Sequence, residues 1–425
     1  MANKNTNLHT ANKAKNDEFY TQWSDIEREV SAYLEYNPNV FRNKTILCPC
    51  DDPEWSNFTK FFSLHFVEYG IKKLISTSYA VESKTYKENY QISLLEENDP
   101  KFDVNKTRTN GKLFILDNAD INKDGKIDID DLKWDYLQGD GDYNSDEVKK
   151  LREEADIIIT NPPFSQFRNF LAWIIETKKQ FLIIGNMNAV TYKEIFPLIA
   201  SNNIWLGNGF NKGNAYFGIP KVIEKEYSNG VYDEHTKLVK FRNVCWFTNL
   251  EHGRRHHPLP LMTMADNLKY SKHKEIKGKQ SYDKYDNYDA IEVPFTDAIP
   301  SDYDGVMGVP ISFLDKYCPE QFEIVAFRKG NDGKDLVYSF TKSDFCDTIE
   351  TTDDGRRTTD DGTTILPYSH QEICYGQIKT QELENGLRSN VYSYATSIAG
   401  MIKNAEGKIG DKITYARITI RRIKR

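Results

Sequence analysis

Ala155-Asp-Ile-Ile-Ile-Thr-Asn-Pro-Pro-Phe-Ser165 decides the reading of this chain. Asp156–Thr160 is a short continuous apolar run, the pattern of a strand buried on both faces of a parallel sheet. Two prolines end it, because proline fixes φ and removes a ladder donor. Ser165 is placed to cap a helix over about 167–177. Strand, proline loop and helix make one step of an open α/β sheet, and such sheets bind ligands at the carboxyl ends of their strands.

Working outward, the same texture recurs. Thr45–Cys48, Lys73–Ser78, Lys112–Leu116 and Phe181–Gly185 read as further short strands. Ile26, Val30, Tyr33 and Leu34 fall at helical spacing within 25–36, and 58–66 is amphipathic. Alternating strands and helices predict an α/β fold with a mainly parallel sheet. Beyond about residue 250, Tyr, Asp, Gly and Pro become frequent, and strands such as Phe322–Phe327 stand apart. The expected division is therefore 1–250, an α/β domain with an acidic insertion at about 117–141, and 251–425, a β-rich region. Residues 1–16 carry three Lys and no acid and read as a mobile arm. Thr351–Gly355 and Thr358–Gly362 echo one another as a polar, turn-like loop.

Composition excludes several classes. The 425 residues include 6 Trp, 25 Tyr and 23 Phe, too many aromatics for general disorder. No apolar run approaches the ~18 residues of a membrane helix. The Asn- and Lys-rich start is no secretory signal, and the six cysteines form no C-x-x-C pair. A reduced, cytoplasmic chain follows. His252, His256 and His257 flank Arg254 and Arg255, which reads as a basic loop rather than a metal site. The net charge of -7 argues mildly against nucleic acid, but it is local. Segment 117–156 has fourteen acids and six bases, a net -8, while 399–425 has eight bases and two acids.

The Asn161-Pro162-Pro163-Phe164 loop carries a specific chemistry. An exocyclic amine on a base is a poor nucleophile because its lone pair is delocalised into the ring. The Asn161 side-chain oxygen and the Pro162 carbonyl can each accept one of its hydrogens, localising the lone pair toward a methyl donor. Pro162 and Pro163 stiffen the geometry, and the Phe164 ring offers a face to an extruded base. Positioning does the work, with no covalent intermediate. A plain Pro-Pro turn after a strand is the alternative.

Asn161–Arg168 resembles the catalytic motif of amino-methylating, S-adenosylmethionine-dependent methyltransferases. More closely, the chain resembles the EcoRI-type adenine-specific DNA methyltransferases. The resembling stretches are Asp17–Gln22, Cys48–Pro53 with Ser56–Phe58, Gly139–Tyr143, Ala155–Ser165, Phe181–Asn188, Thr191–Glu194, Cys245–Leu250 and Gly308–Ile311. The resemblance implies a Rossmann-like fold with a seven-stranded, mostly parallel sheet, S-adenosylmethionine as cofactor, and N6 of adenine in duplex DNA as acceptor. Phe19, Tyr20 and Thr21 match the motif that packs against the cofactor. Cys48, Pro49, Cys50 and Asp51 match the first strand and loop, under the methionine moiety. Asp142 and Tyr143 match the motif at the cofactor's adenine. Region 251–425 then becomes the target-recognition region. A monomer that pairs functionally, not physically, with a cognate restriction endonuclease completes the expectation. RNA adenine, cytosine N4 and protein glutamine are the alternative amine acceptors.

Two departures stand out. No Gly-x-Gly follows the first strand, where Cys-Pro-Cys-Asp-Asp stands instead. The second strand ends in Ser76-Thr-Ser78 without an acidic partner for ribose hydroxyls, a role open to Asp51 or Asp52. Pro49-Cys50 also invites a thiolate nucleophile, but its place at the first strand favours a loop role. Asp120, Asn122, Asp124, the Lys126 carbonyl, Asp128 and Asp131 fit an EF-hand loop, with Gly125 at its turn. That predicts a weak structural Ca²⁺ clip, with a polar turn as the alternative. Tyr415–Arg425 alternates apolar and basic residues, and reads as an edge strand or a phosphate-contacting one.

Overall fold

The computed structural model describes residues 19–53, 56–80, 99–210, 214–219, 231–286, 289–328, 412–414 and 416–423, with shorter strand fragments at 349–351, 357–359, 364–365 and 408–409. The basic arm 1–16 and most of the echoed Thr-Thr-Asp-Asp-Gly segment lie outside the described residues. The chain divides into two compact units, residues 1–189 with 204–254, and residues 190–203 with 255–425.

The first unit carries strands β1 (Tyr20–Thr21), β2 (Thr45–Cys48), β3 (Lys73–Ser78), β4 (Lys112–Leu116), β5 (Lys133–Tyr136), β6 (Ile157–Thr160), β7 (Gln180–Asn186), β8 (Trp205–Leu206), β9 (Asn214–Gly218), β10 (Tyr232–Asp233), β11 (Leu238–Arg242) and β12 (Val244–Thr248). Eight of them form one sheet in the order β5-β4-β3-β2-β6-β7-β12-β8. The expected seven-stranded, mostly parallel sheet needs correction on both counts. Parallel pairing is confined to the central run β3-β2-β6-β7. β4, β5, β12 and β8 pair antiparallel. Burial accounts for β4, though not for β12, which is buried throughout and still antiparallel. β2 and β6 are buried at every residue, whereas β4 alternates buried and half-buried positions, as an antiparallel strand covered on one face does. β5 lies inside the acidic segment 117–141 and forms the sheet's edge.

Helices α1 (Trp23–Tyr36), α2 (Asn57–Leu64), α3 (Asp146–Glu154) and α4 (Phe167–Ile175) cover this sheet. Ile26, Val30, Tyr33, Phe58, Phe61 and Phe62 join Ile46, Leu74, Ile157, Leu182 and Trp246 in one core. Each such side chain contributes roughly 1.5–3 kcal/mol through burial. Ser56 caps α2 by accepting the Phe58 N–H (3.1 Å). Ser165 does not cap α4. A 3₁₀ turn at Phe164–Gln166 runs directly into Phe167, and no side chain caps the junction. Gly185 in β7 lets α4 approach, since a Cβ there would lie 2.3 Å from the Phe167 ring.

In the second unit, β13 (Ile291–Glu292), β14 (Met307–Pro310) and β15 (Phe322–Arg328) are joined by a strand at Arg417–Arg422. That strand is central, not an edge. It pairs with β14 on one side and β15 on the other, and Ile418, Thr419 and Ile420 are all buried. Two of its arginines are engaged within the unit. Arg417 grips the buried Glu292 with Nη2 (2.6 Å) and Nε (3.0 Å), and Arg421 pairs with Glu323. Among the described residues, no helix is long and apolar enough to cross a membrane.

Candidate active site

The carboxyl ends of β2, β3 and β6 meet around the first strand's loop. Pro49 follows β2, and its carbonyl accepts the Thr160 hydroxyl at the end of β6 (2.8 Å). Cys50 then turns the chain at φ +66°, a left-handed conformation that normally favours glycine. This residue stands in for the missing glycine loop. The hydroxyl-rich end of β3 holds the turn in place. The Cys50 N–H donates to Thr77 Oγ1 (3.3 Å), and the Asp51 carbonyl accepts from Ser76 Oγ and, at 3.3 Å, from Thr59 Oγ1. Ser76-Thr77-Ser78 therefore supports the loop rather than lacking a function there.

Asp51 is buried beneath this turn. One carboxylate oxygen accepts the Ser56 hydroxyl (2.7 Å), and Oδ2 is buried without a hydrogen-bond partner. Burial pushes the carboxyl up to about 7, against the Thr160 and Ser56 hydroxyls that favour its charge. Cys48 is fully buried in the core, and burial pushes its thiol well up, so its side chain is structural. Cys50 Sγ lies 3.5 Å from the Tyr79 hydroxyl, which burial raises far above its ordinary value. Cys50 thus sits in the loop against a buried phenol.

Asp142 and Tyr143 approach the same loop. The thiol of Cys50 and the carboxylate of Asp142 both act on the Tyr79 and Tyr143 hydroxyls, and burial first raises Tyr143 to about 12. The approach depends on Gly141, at φ +86°, where a Cβ would lie 2.3 Å from the Ser78 carbonyl oxygen. Tyr143 itself is buried edge-on against Phe170 (4.9 Å) and Trp173 (5.6 Å), while Asp142 is exposed. Tyr79 was missed in the sequence, although its place directly after the hydroxyl-rich end of β3 is a signal.

Asn161 opens the loop after β6. Its Nδ2 donates to the Phe19 carbonyl (2.7 Å), which fixes the orientation of the amide. Its Oδ1 is left buried without a partner. Pro162 is buried, and among the described residues no backbone N–H takes its carbonyl. The Phe164 ring packs on Phe19 (5.6 Å), Phe217 and Phe241 (both 6.1 Å). Phe19 is thus brought to the Asn161–Phe164 loop, with Tyr20–Thr21 paired to β9 beside it. Asn57 secures that strand by donating to the Thr21 carbonyl (2.7 Å). Asn57 was quoted within a matching stretch but given no role there.

In the EF-hand-like segment, side-chain oxygens are turned onto backbone N–H groups. Asp120 accepts the Lys123 and Gly125 N–H groups (2.6 and 3.0 Å), Asn122 that of Asp124 (3.0 Å), Asp124 that of Lys126 (2.8 Å) and Asp128 that of Asp130 (3.0 Å). Asp131, 1% exposed, accepts the Ile121 and Asn122 N–H groups (2.6 and 3.3 Å). Asx turns thus explain the spacing. Among the described residues no three acidic, His or Cys side chains converge to hold a metal ion. His252 and His256 likewise diverge, one toward the Leu206 carbonyl (3.0 Å), the other toward Glu320 (2.7 Å).

A parallel α/β centre ending in an oriented Asn-Pro-Pro-Phe loop is the arrangement of an enzyme that methylates amino groups. Residues 7–423 match the family model described as adenine-specific methyltransferase EcoRI, and the chain belongs to that family. It is 43% identical over 339 residues to the Type II methyltransferase M.EcoRI of Escherichia coli, covering 79% of this chain and 94% of the relative. It is 34% identical over 321 residues to M.MpnI of Mycoplasma pneumoniae, with 75% and 84% covered. M.MgeORF184P of Mycoplasma genitalium is also 34% identical over 321 residues, with 75% and 85% covered. No solved structure matches the chain.

Proposed function

We propose that this adenine-specific methyltransferase transfers a methyl group from S-adenosylmethionine to N6 of an adenine turned out of duplex DNA, with Asn161, Pro162 and Phe164 holding the base. The observation that carries this reading is the Asn161 amide. Its nitrogen is tied to Phe19, so the buried, unpartnered Oδ1 is an oriented acceptor. The second acceptor is the Pro162 carbonyl. Together they take both N6 hydrogens, direct the lone pair away from the ring, and stabilise the positive charge that grows on nitrogen. Pro163, at φ -51°, stiffens the turn. Phe164 is braced by three aromatic neighbours, so its ring is fixed before a base stacks on it.

The residues present fit S-adenosylmethionine. The cofactor supplies an electrophilic methyl group and carries positive charge. Asp51 offers a buried carboxylate oxygen with no partner, and Asp142 an exposed carboxylate at the rim. Cys50 and Pro49 contribute backbone, while Cys48 serves the core. Phe19, Tyr20 and Thr21 form the wall beside the catalytic loop.

Asn161→Ala and Asn161→Asp test the assignment. Alanine removes the acceptor, and a carboxylate at 161 has no hydrogen for the Phe19 carbonyl. Both are expected to lower the methylation rate at least ~100-fold. Cofactor affinity, measured by calorimetry, is expected to stay within about twofold. N6-methyladenine formed at wild-type rate, read by nucleoside mass spectrometry on duplex DNA, would overturn the assignment.

A further inference from the structure

The strands β1, β9, β11 and β10 form a second, four-stranded antiparallel sheet in the first unit. Its two faces differ sharply, because side chains alternate along each strand. Phe217 and Phe241 point to one face, with Ala215 and Val239 buried beside them. That face packs on Phe19 and Phe164 of the catalytic loop. Tyr216, Lys240 and Arg242 belong to the opposite face. Lys240 and Tyr216 are direct cross-strand partners, with Lys240 Nζ 5.7 Å from the Tyr216 ring centroid. Tyr216 is 39% exposed and Arg242 is exposed. Among the described residues, neither Lys240 nor Arg242 makes an ion pair. Among the described residues of these strands, the acid on this face is Asp233, opposite Leu238, its carboxylate engaged by the His235 and Thr236 N–H groups.

We propose that this outer face binds the phosphodiester backbone of the DNA strand beside the adenine undergoing reaction. The sheet is one strand-thickness deep, so its two faces serve neighbouring parts of one substrate. The inner aromatics brace the loop that holds the base. The outer cations meet the phosphates that the extruded base leaves beside it. Charge complementarity selects a polyanion, and Tyr216 keeps the Lys240 ammonium over its ring, positioned before contact. Continuity with the catalytic loop selects the target strand. The proposal rests on duplex DNA being the substrate.

The test is the salt dependence of binding to a mixed-sequence 40-base-pair duplex, followed by fluorescence anisotropy with the full chain. Each phosphate contact contributes about 0.9 to the slope of log K against log salt. Lys240→Gln with Arg242→Gln is expected to lower that slope by about 1.8 and weaken binding about tenfold or more. Lys149→Gln with Lys150→Gln on α3 removes the same charge elsewhere and is expected to leave the slope within about 0.5. Lys240→Arg is expected to keep the wild-type slope. Cofactor affinity by calorimetry is expected to be unchanged in all three, as surface substitutions require. An unchanged slope in the first variant, or equal losses in both double variants, overturns the proposal. A wild-type chain that does not bind the duplex overturns the substrate reading instead.

Discussion

Two side chains of the site each carry an oxygen that the folded chain leaves unanswered, Asn161 Oδ1 and Asp51 Oδ2. Leaving a buried polar atom unpaired costs about 1–3 kcal/mol, so both positions cost the fold stability, as the proposed binding roles would require. Asn161 was legible in the sequence, because its motif is local and sits at the end of a strand. The role of Phe19 in fixing its amide was not, since that contact spans 142 residues. Asp51 makes a pH prediction. Burial raises its folded-state carboxyl from 3.8 to about 7, and burial raises that of Glu29 from 4.5 to about 7. Between those limits the folded state holds protons that the unfolded state releases. Both groups therefore favour folding below about pH 4, and that advantage is lost as pH rises through about 7. Asp51→Asn removes one of the two. Thermal melts at pH 8 are expected to show a rise in Tm of about 2–5 °C over wild type, a gap that closes near pH 4. The same variant is expected to bind S-adenosylmethionine at least ~10-fold more weakly. A lower Tm at pH 8 would argue that Asp51 is a structural anchor.

Elements differ in how far their own residues specify them. β2, β3 and β4 lie where their apolar runs place them, at Thr45–Cys48, Lys73–Ser78 and Lys112–Leu116. β12 is equally apolar and was quoted only as a matching stretch, because a buried run does not announce its sheet position. The β9–β11 pairing was not legible either; its register depends on strands far along the chain. The segment from Asp120 to Asp131 has a spacing that two kinds of structure share. Its spacing is that of a cation loop, but Asp and Asn side chains satisfy backbone N–H groups at the same spacings. At the junction of β3 with the Asp142–Tyr143 turn, Gly141 is specified by contact rather than pattern. Gly141→Ala puts a methyl group against the Ser78 carbonyl at a positive φ. It is expected to cost about 2 kcal/mol or more, read by denaturant unfolding. Cofactor affinity is expected to fall with it. A stability loss below about 0.5 kcal/mol would mean that this crossing is loose.

For the molecule, the sequence separates an α/β part from a β-rich part, whereas the two compact units are not made by a single cut of the chain. Residues 190–203 go with the second unit although they precede strands of the first. Charge reads differently by scale. The basic strand at 417–422 holds its own unit together through Glu292 and Glu323. Deleting residues 417–425 removes the partner of both β14 and β15. Hydrogen exchange at 307–310 and 322–328 is expected to speed up at least ~10-fold, with β2, β3, β6 and β7 still protected. Unchanged protection at 322–328 would contradict the pairing. The register of that strand has one more consequence. Arg328 and Arg417 are cross-strand partners, so the sheet fixes both ends of the intervening segment on one rung. Closing a loop between fixed ends costs free energy that grows only with the logarithm of its length, about 0.6 kcal/mol per doubling. With both ends held on one rung, the length of chain between those two arginines is a weak lever on the stability of this sheet.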